Sequence, residues 1–226
     1  ACIELETGEL DKVLLADLVA RVETATTVLR KVNLTLSDQL TAAQFELEET
    51  REELRKSSES ARRDSLTGLM NPAGIDLTLS QLIEDAATEG RSFALAVVDI
   101  DHFKPLNDNY GHQIGDEILR TLGRILLTSA RTGDVVGRVG GDEFVAIMPD
   151  TNEEMAEEVA TRICAAAREH DLQHVLGNDV LGGMTVSIGL AGHRPGDSIS
   201  SLFERADKAL YAAKSAGRNR VALAGN

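Results

Sequence analysis

The chain has 226 residues, 42% hydrophobic and 27% charged, a globular composition that excludes a disordered chain. Its formal net charge of -14 argues against a nonspecific grip on DNA or RNA, which needs clustered Lys and Arg, so no nucleic-acid partner is expected. No apolar run is long enough to span a bilayer and no signal-peptide pattern is present, so no membrane segment is expected in this chain and a cytoplasmic location is. The length suits one domain with an appendage. The chain opens at Ala1 without a Met, so a sensor or membrane anchor upstream is compatible with it. Cys2 and Cys164 form no metal spacing; Cys164 reads as a core filler, and the pair suits a reducing compartment.

In chain order, residues 1–8 read as a tail and residues 9–63 as one long helix, with no Gly or Pro from Glu9 to Ala61. Leu15, Leu18, Val22, Ala25, Leu29, Val32 and Leu36 alternate steps of three and four, a heptad seam. The seam slips by one residue and resumes as Leu40, Ala43, Leu47, Thr50 and Leu54. At 1.5 Å per residue such a helix reaches roughly 75 Å, too long a stripe for one small domain to bury. A parallel coiled-coil homodimer is therefore expected. The alternative is an antiparallel fold-back with its turn at residues 24–27 or 33–37.

Residues 64–226 read as a globular domain. Gly68 and Asn71-Pro72 mark a turn into a helix that ends at Gly90. Ser92 to Ile100 is a continuous apolar run, a buried central strand ending in Asp99-Ile100-Asp101. A loop through Pro105 and Asn107 leads to an amphipathic helix over Gly111–Arg131. Asp134 to Met148 reads as a β-hairpin turning through Gly140-Gly141, with Asp142 and Glu143 at its tip or on its outgoing strand. A helix over Asn152–His170, a strand over Met184–Ala191, a helix over Ser198–Ala216 and a last strand over Asn219–Ala224 complete the order. This pattern predicts an α/β (α+β) fold, ferredoxin-like and palm-type, with a central mixed sheet flanked by helices.

An acid at the end of a buried strand is costly unless it is paired or meets a cation. In a palm-like sheet Asp99 and the Asp142-Glu143 pair converge, and such a cluster is stable around a cation. Oxygen ligands without His or Cys indicate Mg2+ or Mn2+. Two ions per site, about 3.5–4 Å apart, suit in-line attack at phosphorus.

Gly140-Gly141-Asp142-Glu143-Phe144 resembles the signature of the GGDEF family, the diguanylate cyclases. The resemblance covers Asp64 to about Leu223. It includes the entry segment Asp64–Asn71, the stretch Asp99–Asp108 with Tyr110-Gly111-His112 and Gly115-Asp116, and the closing Ala206–Lys214 with Gly217-Arg218-Asn219. It implies an enzyme that condenses two GTP into cyclic di-GMP with release of two pyrophosphates. Asp99, the Ile100 carbonyl, Asp142 and Glu143 would hold the metal, and Asp142, Glu143 and Lys104 would be catalytic. Phe103, Lys104, Asn107, His112, Asp116, Lys214 and Arg218 would line the substrate. Among these, Asn107 and Asp116 would read guanine, and Lys214 and Arg218, one helical turn apart, would hold the terminal phosphates. Arg131-Thr132-Gly133-Asp134 stands where the family has its product-inhibition site, with Arg162 adding a second arginine from a neighbouring domain. Pro72-Ala73 departs from the family, which commonly has Arg after the entry asparagine.

Other readings weigh against this one. A non-catalytic module of the same family would bind GTP or cyclic di-GMP and signal by contact; the intact acidic hairpin speaks against it. A cyclase with a different product is opposed by Asp116, which favours guanine. A purely structural coiled-coil adaptor leaves the acidic hairpin unexplained.

Overall fold

The structure, a computed structural model, describes residues 2–170 and 183–225. It divides into two compact units, Ala1–Glu59 and Ser60–Asn226.

Helix α1 is continuous over Cys2–Ala61. It begins earlier than the expected tail of residues 1–8 allowed, because Gly8 alone is too weak a breaker to stop a run of helix formers. The fold-back alternative is not adopted. Thr24, Thr26, Thr27, Thr35 and Thr41 each donate a hydroxyl to the carbonyl four residues earlier, so these polar stretches are satisfied within the helix. Arg55 bridges Glu52 and Glu59 at 2.8 and 2.5 Å on the charged flank. The seam residues Leu15, Leu18, Val22, Leu29, Val32, Leu36, Leu40, Leu47 and Leu54 are all exposed. No helix among the described residues is long and apolar enough to cross a membrane.

The second unit opens on a tight turn. Asn71 Oδ1 accepts from Gly74 N at 3.1 Å and caps α2 (Pro72–Glu89), whose first residue is a proline that needs no donor there. Gly90, at φ 70°, ends α2 in the left-handed region. Strand β1 (Phe93–Ile100) follows, then α3 (Phe103–Tyr110), α4 (His112–Ser129), β2 (Val135–Gly140), β3 (Glu143–Pro149), α5 (Glu153–Glu169), β4 (Val186–Gly192), α6 (Ile199–Ser215) and β5 (Val221–Leu223). The expected loop through Pro105 and Asn107 is instead the short helix α3. Pro105 falls in its first turn, where the missing N–H costs nothing, and the buried Phe103 anchors it.

Among the described residues the sheet runs β2-β3-β1-β4-β5. Strand β1 is antiparallel to both neighbours, and β4 pairs with β5 in parallel. The first four strands have the ferredoxin-like order, with β5 added at one edge. The apolar run of β1 is explained by burial on both faces. Ala94, Ala96, Val98 and Ile100 pack towards Ile118, Leu122, Leu126 and Ile163 of α4 and α5. Phe93, Leu95 and Val97 pack with Ile75, Leu79, Leu202 and Leu210 of α2 and α6. Gly189 lets α6 approach β4: a Cβ there would lie 2.1 Å from the Ala206 carbonyl oxygen.

Candidate active site

The carboxylates gather at one end of the sheet because two neighbouring strands bring them there. Strand β1 runs out at Asp99 and Ile100, and β3 begins at Glu143; Asp99 and Glu143 are paired across the ladder. The hairpin turn is made by Gly141 and Asp142, not by Gly140-Gly141 as the sequence suggested. Gly140 still belongs to β2 and pairs with Glu143, and only Gly141, at φ 53°, needs the left-handed region. The pairing register shifts between Arg138 and Gly140, which frees Arg138 to turn back. Its Nη2 and Nε donate to the Gly141 carbonyl at 2.7 and 3.1 Å, and its Nη1 lies 3.2 Å from Asp64 Oδ2. Asp64 also accepts from the Thr67 hydroxyl and amide at 2.6 and 2.8 Å. Burial acts to raise the Asp64 carboxyl, but the Thr67 hydrogen bonds and the Arg138 cation outweigh it and hold it below its usual range.

Asp99 is buried, and its Oδ2 lies 2.7 Å from Lys214 Nζ of α6. Burial pushes its carboxyl up, Lys214 pulls it down, and the charges of Asp142 and Asp101 push it up again; the net direction is upward. The Glu143 carboxyl is also raised, first by burial and then by Asp207, Asp99 and Asp142, with Lys214 opposing. The shared electrostatics thus join Asp99, Asp142, Glu143, Asp207 and Lys214 into one cluster. Asp207 belongs to the closing segment Ala206–Lys214, whose resemblance implies no role for it. It stands seven residues before Lys214 on α6, two turns along one helix face, and that spacing was the available signal.

Among the described residues no three His, Cys, Asp or Glu side chains stand together as a metal cage. Lys214 holds Asp99 where a cation would be wanted. The donor chemistry nevertheless fits a divalent cation. The donors are oxygens alone, Asp99 and Glu143 face each other across a ladder, and the carboxyls of these two are pushed up by burial first and by neighbouring carboxylates next, charge that a cation would relieve.

Asp101, two residues beyond Asp99, is buried and fully engaged. It accepts from the Ser187 hydroxyl at 2.7 Å, the Thr185 hydroxyl at 2.9 Å and the Asn219 amide at 3.0 Å. The last bond secures the turn Gly217-Arg218-Asn219, whose φ values are all positive (113°, 61° and 47°). Arg218 therefore lies past the end of α6, not one helical turn from Lys214 as expected, because the chain leaves the helix after Ser215. Its side chain is exposed.

Phe103 is taken up by the core beside α4. Lys104 and His112 are exposed, and Asn107 and Asp116 are half-buried around the junction of α3 and α4. Among the described residues no ion pair joins Lys104 or Arg218 to the acids. Asn107 Oδ1 is buried and has no hydrogen-bond partner among the described residues. Elsewhere, Arg131 and Asp134 bind each other: the Arg131 amide and Nε donate to the Asp134 carboxylate at 2.9 and 3.2 Å. Arg131 Nη2 also reaches the Pro149 carbonyl at 2.5 Å and the Thr151 hydroxyl. Arg162 Nη2 donates to the Ser129 carbonyl at 2.6 Å.

A ferredoxin-like sheet with carboxylates at a strand end and an adjacent hairpin defines a palm-type domain suited to chemistry at phosphorus. The family profile described as "Diguanylate cyclase, GGDEF domain" matches residues 61–220, and the chain belongs to that GGDEF family. It is 38% identical over 186 residues to the diguanylate cyclase VdcA of Vibrio cholerae, covering 82% of this chain and 54% of that protein. It is 39% identical over 172 residues to the response regulator PleD of Caulobacter vibrioides, covering 76% and 38%. Among solved structures it is similar to the coiled coil and GGDEF domain of DgcB from Caulobacter crescentus in complex with c-di-GMP. That match has a TM-score of 0.75 at 37% identity and covers 84% of this chain and 99% of that one. The chain spans about half or less of the length of the curated relatives it matches.

Proposed function

We propose that this chain is a diguanylate cyclase that condenses two GTP into cyclic di-GMP, with release of two pyrophosphates. The observation that carries the reading is the pairing of Asp99 with Glu143 at the open end of the sheet, beside Asp142 and within reach of Lys214. The family of the chain and its likeness to cyclases and to a c-di-GMP-bound GGDEF domain support it.

Each domain binds one GTP. The 3′-hydroxyl of one nucleotide attacks the α-phosphorus of the other; a 3′-O–P bond forms, the bond to the β-phosphate oxygen breaks, and pyrophosphate leaves. Asp142 accepts the hydroxyl proton, and Glu143 acts beside it as a donor to, or support of, the metal site. Lys104 steadies charge on the phosphates. Asn107 and Asp116 read the guanine edge. Lys214 exchanges Asp99 for the terminal phosphates, and Arg218 would reach the same phosphates from the turn that follows α6. Mg2+ or Mn2+, held by Asp99, the Ile100 carbonyl, Asp142 and Glu143, would neutralise the phosphates and acidify the attacking hydroxyl.

Two domains must face each other, so approach geometry governs the rate. We take the exposed seam of α1 as the surface on which a homodimer forms, with residues 1–63 as the signalling arm and 64–226 as the catalytic domain. Cyclic di-GMP would inhibit by binding Arg131 and Asp134, with Arg162 reaching in from a neighbouring domain; an Arg fork suits a phosphate or a guanine edge. A cytoplasmic location, where GTP is available, goes with this reading.

Incubation of the chain with GTP and Mg2+, following pyrophosphate and identifying the product by mass spectrometry, tests the proposal. Cyclic di-GMP from the natural chain and none from Asp142→Ala is the expected result. Tight nucleotide binding without product, after stripping carried-over ligand, would favour the non-catalytic module instead.

A further inference from the structure

We propose that Gly115 is a positioning residue for guanine recognition: its bare Cα forms the seat on which the Asn107 carboxamide lies. The inference rests on the cyclase reading and deepens it by assigning a determinant of base specificity.

Gly115 stands in the first turn of α4, outside the set of positive-φ glycines. Its backbone is one that any residue adopts, and glycine is among the poorest helix formers. Conformation gives no reason for glycine here, so the reason is space. A Cβ at this position would lie 1.8 Å from Asn107 Oδ1, 2.8 Å from its Cγ and 3.2 Å from its Nδ2. The whole carboxamide therefore rests on the Gly115 Cα. At Gly123 of the same helix a Cβ would come no closer than 3.4 Å to the nearest atom of another element, so within α4 the tight fit belongs to Gly115. The Asn107 backbone has little freedom to retreat, because its carbonyl is held by the Gly111 amide at 2.8 Å.

The seated group has an acceptor to spare. Asn107 Oδ1 is buried without a donor among the described residues, and an unpaired buried acceptor is retained where something else supplies the donor. The two ends of a carboxamide are nearly equal in shape, so a half-turn carries the acceptor to the outer side without leaving the seat. Asp116, the next residue, adds a carboxylate on the same turn of α4. Two acceptors match the edge of guanine, which presents N1–H and a 2-amino group as donors. Adenine presents an unprotonated N1 there and no 2-amino group. Alanine at position 115 would unseat the carboxamide and remove one of the two acceptors.

The test uses 3′-deoxy-GTP, which lacks the attacking hydroxyl and reports binding without turnover. Its affinity is measured by calorimetry for the natural chain, Gly115→Ala, Asn107→Ala and the double variant, beside steady-state kinetics with GTP and with ITP, which lacks the 2-amino group. Gly115→Ala is expected to weaken binding about tenfold, the scale of one hydrogen bond. KM for GTP should rise with kcat little changed, and the preference for GTP over ITP should shrink. The double variant carries no clash, and it should bind as Asn107→Ala alone does. Additive losses, or an unchanged GTP-to-ITP preference in Gly115→Ala, would overturn the proposal. Binding by Asn107→Ala equal to that of the natural chain would overturn it while leaving the cyclase reading intact. No binding of 3′-deoxy-GTP by the natural chain would defeat the cyclase reading itself and this inference with it.

Discussion

Lys214 Nζ of α6 lies 2.7 Å from Asp99 Oδ2 at the end of β1, so the helix supplies the positive charge that the acidic strand end requires. Burial and the charges of Asp142 and Asp101 press on the same carboxylate, and Lys214 is the cation that opposes them. On the proposed reading, lysine and a divalent metal would compete for this one partner.

Replacing Lys214 with alanine leaves Asp99 buried and unpaired. In metal-free buffer Lys214→Ala should be less stable by about 1–2 kcal/mol, since the lysine is partly exposed and screened. For a chain of this size that is a fall in melting temperature of roughly 2–8 °C. Added Mg2+ should then raise the melting temperature of the variant more than that of the natural chain. Equal shifts in the two would show that metal and lysine do not share Asp99.

Asp101 closes a buried network that no sequence spacing announces. Asp101→Ala strands the hydroxyls of Ser187 and Thr185 and the amide of Asn219. A loss of about 2–4 kcal/mol in urea unfolding is expected, because buried groups are left unsatisfied. Hydrogen exchange at the Asn219 amide should speed up in the folded state. An unchanged exchange rate there would mean that Asp101 does not hold the Arg218 turn.

A Cβ at Gly140 would meet no atom within 4 Å, and its φ is not positive. Gly140→Ala should therefore fold with a melting temperature within about 2 °C of the natural chain, as surface changes usually do. If the open space beside Gly140 belongs to the nucleotide, the same change should cut cyclase activity by at least about tenfold, the weight of one lost contact of 1.4 kcal/mol. Full activity would remove Gly140 from the binding surface.

Asp64 and Asp197 are both held below their usual range. Burial opposes the shift in each; Thr67 and Arg138 prevail at Asp64, and the Arg194 amide, Arg205 and Ser201 prevail at Asp197. A carboxyl lowered in the folded state stabilises fully above its unfolded value, and the stabilisation is lost as pH falls through the folded value. Urea stability should thus decline below about pH 4, with each group contributing a slope of up to about 1.4 kcal/mol per pH unit. Asp64→Asn and Asp197→Asn should each flatten that decline, and a profile of unchanged slope would refute their part in it.

Much of the molecule is legible in its order of residues, because the relevant physics is local. The heptad steps of α1, the two-sided apolar run of β1, the Asn71-Pro72 helix entry and the acid pair after Gly140-Gly141 are each set by residues near one another in the chain. Helix periodicity and strand alternation need no partner to be read. The sequence likewise determined which chemistry-bearing residues the chain owns, and its matching segments determined the family.

Only the tertiary structure decided how distant groups combine. Lys214 and Arg218 read in sequence as one helical turn apart; the chain leaves α6 after Ser215 and turns through three positive-φ residues, so Lys214 faces Asp99 and Arg218 does not follow it. Phe103 enters the core because α3 forms where a loop was expected. Asp207 joins the acidic cluster, and Asn107 finds its seat on Gly115, through packing between elements. Such contacts depend on the angle and depth at which helices meet the sheet. Those are settled by how the buried side chains of the whole domain fit together, and no short stretch of sequence carries them.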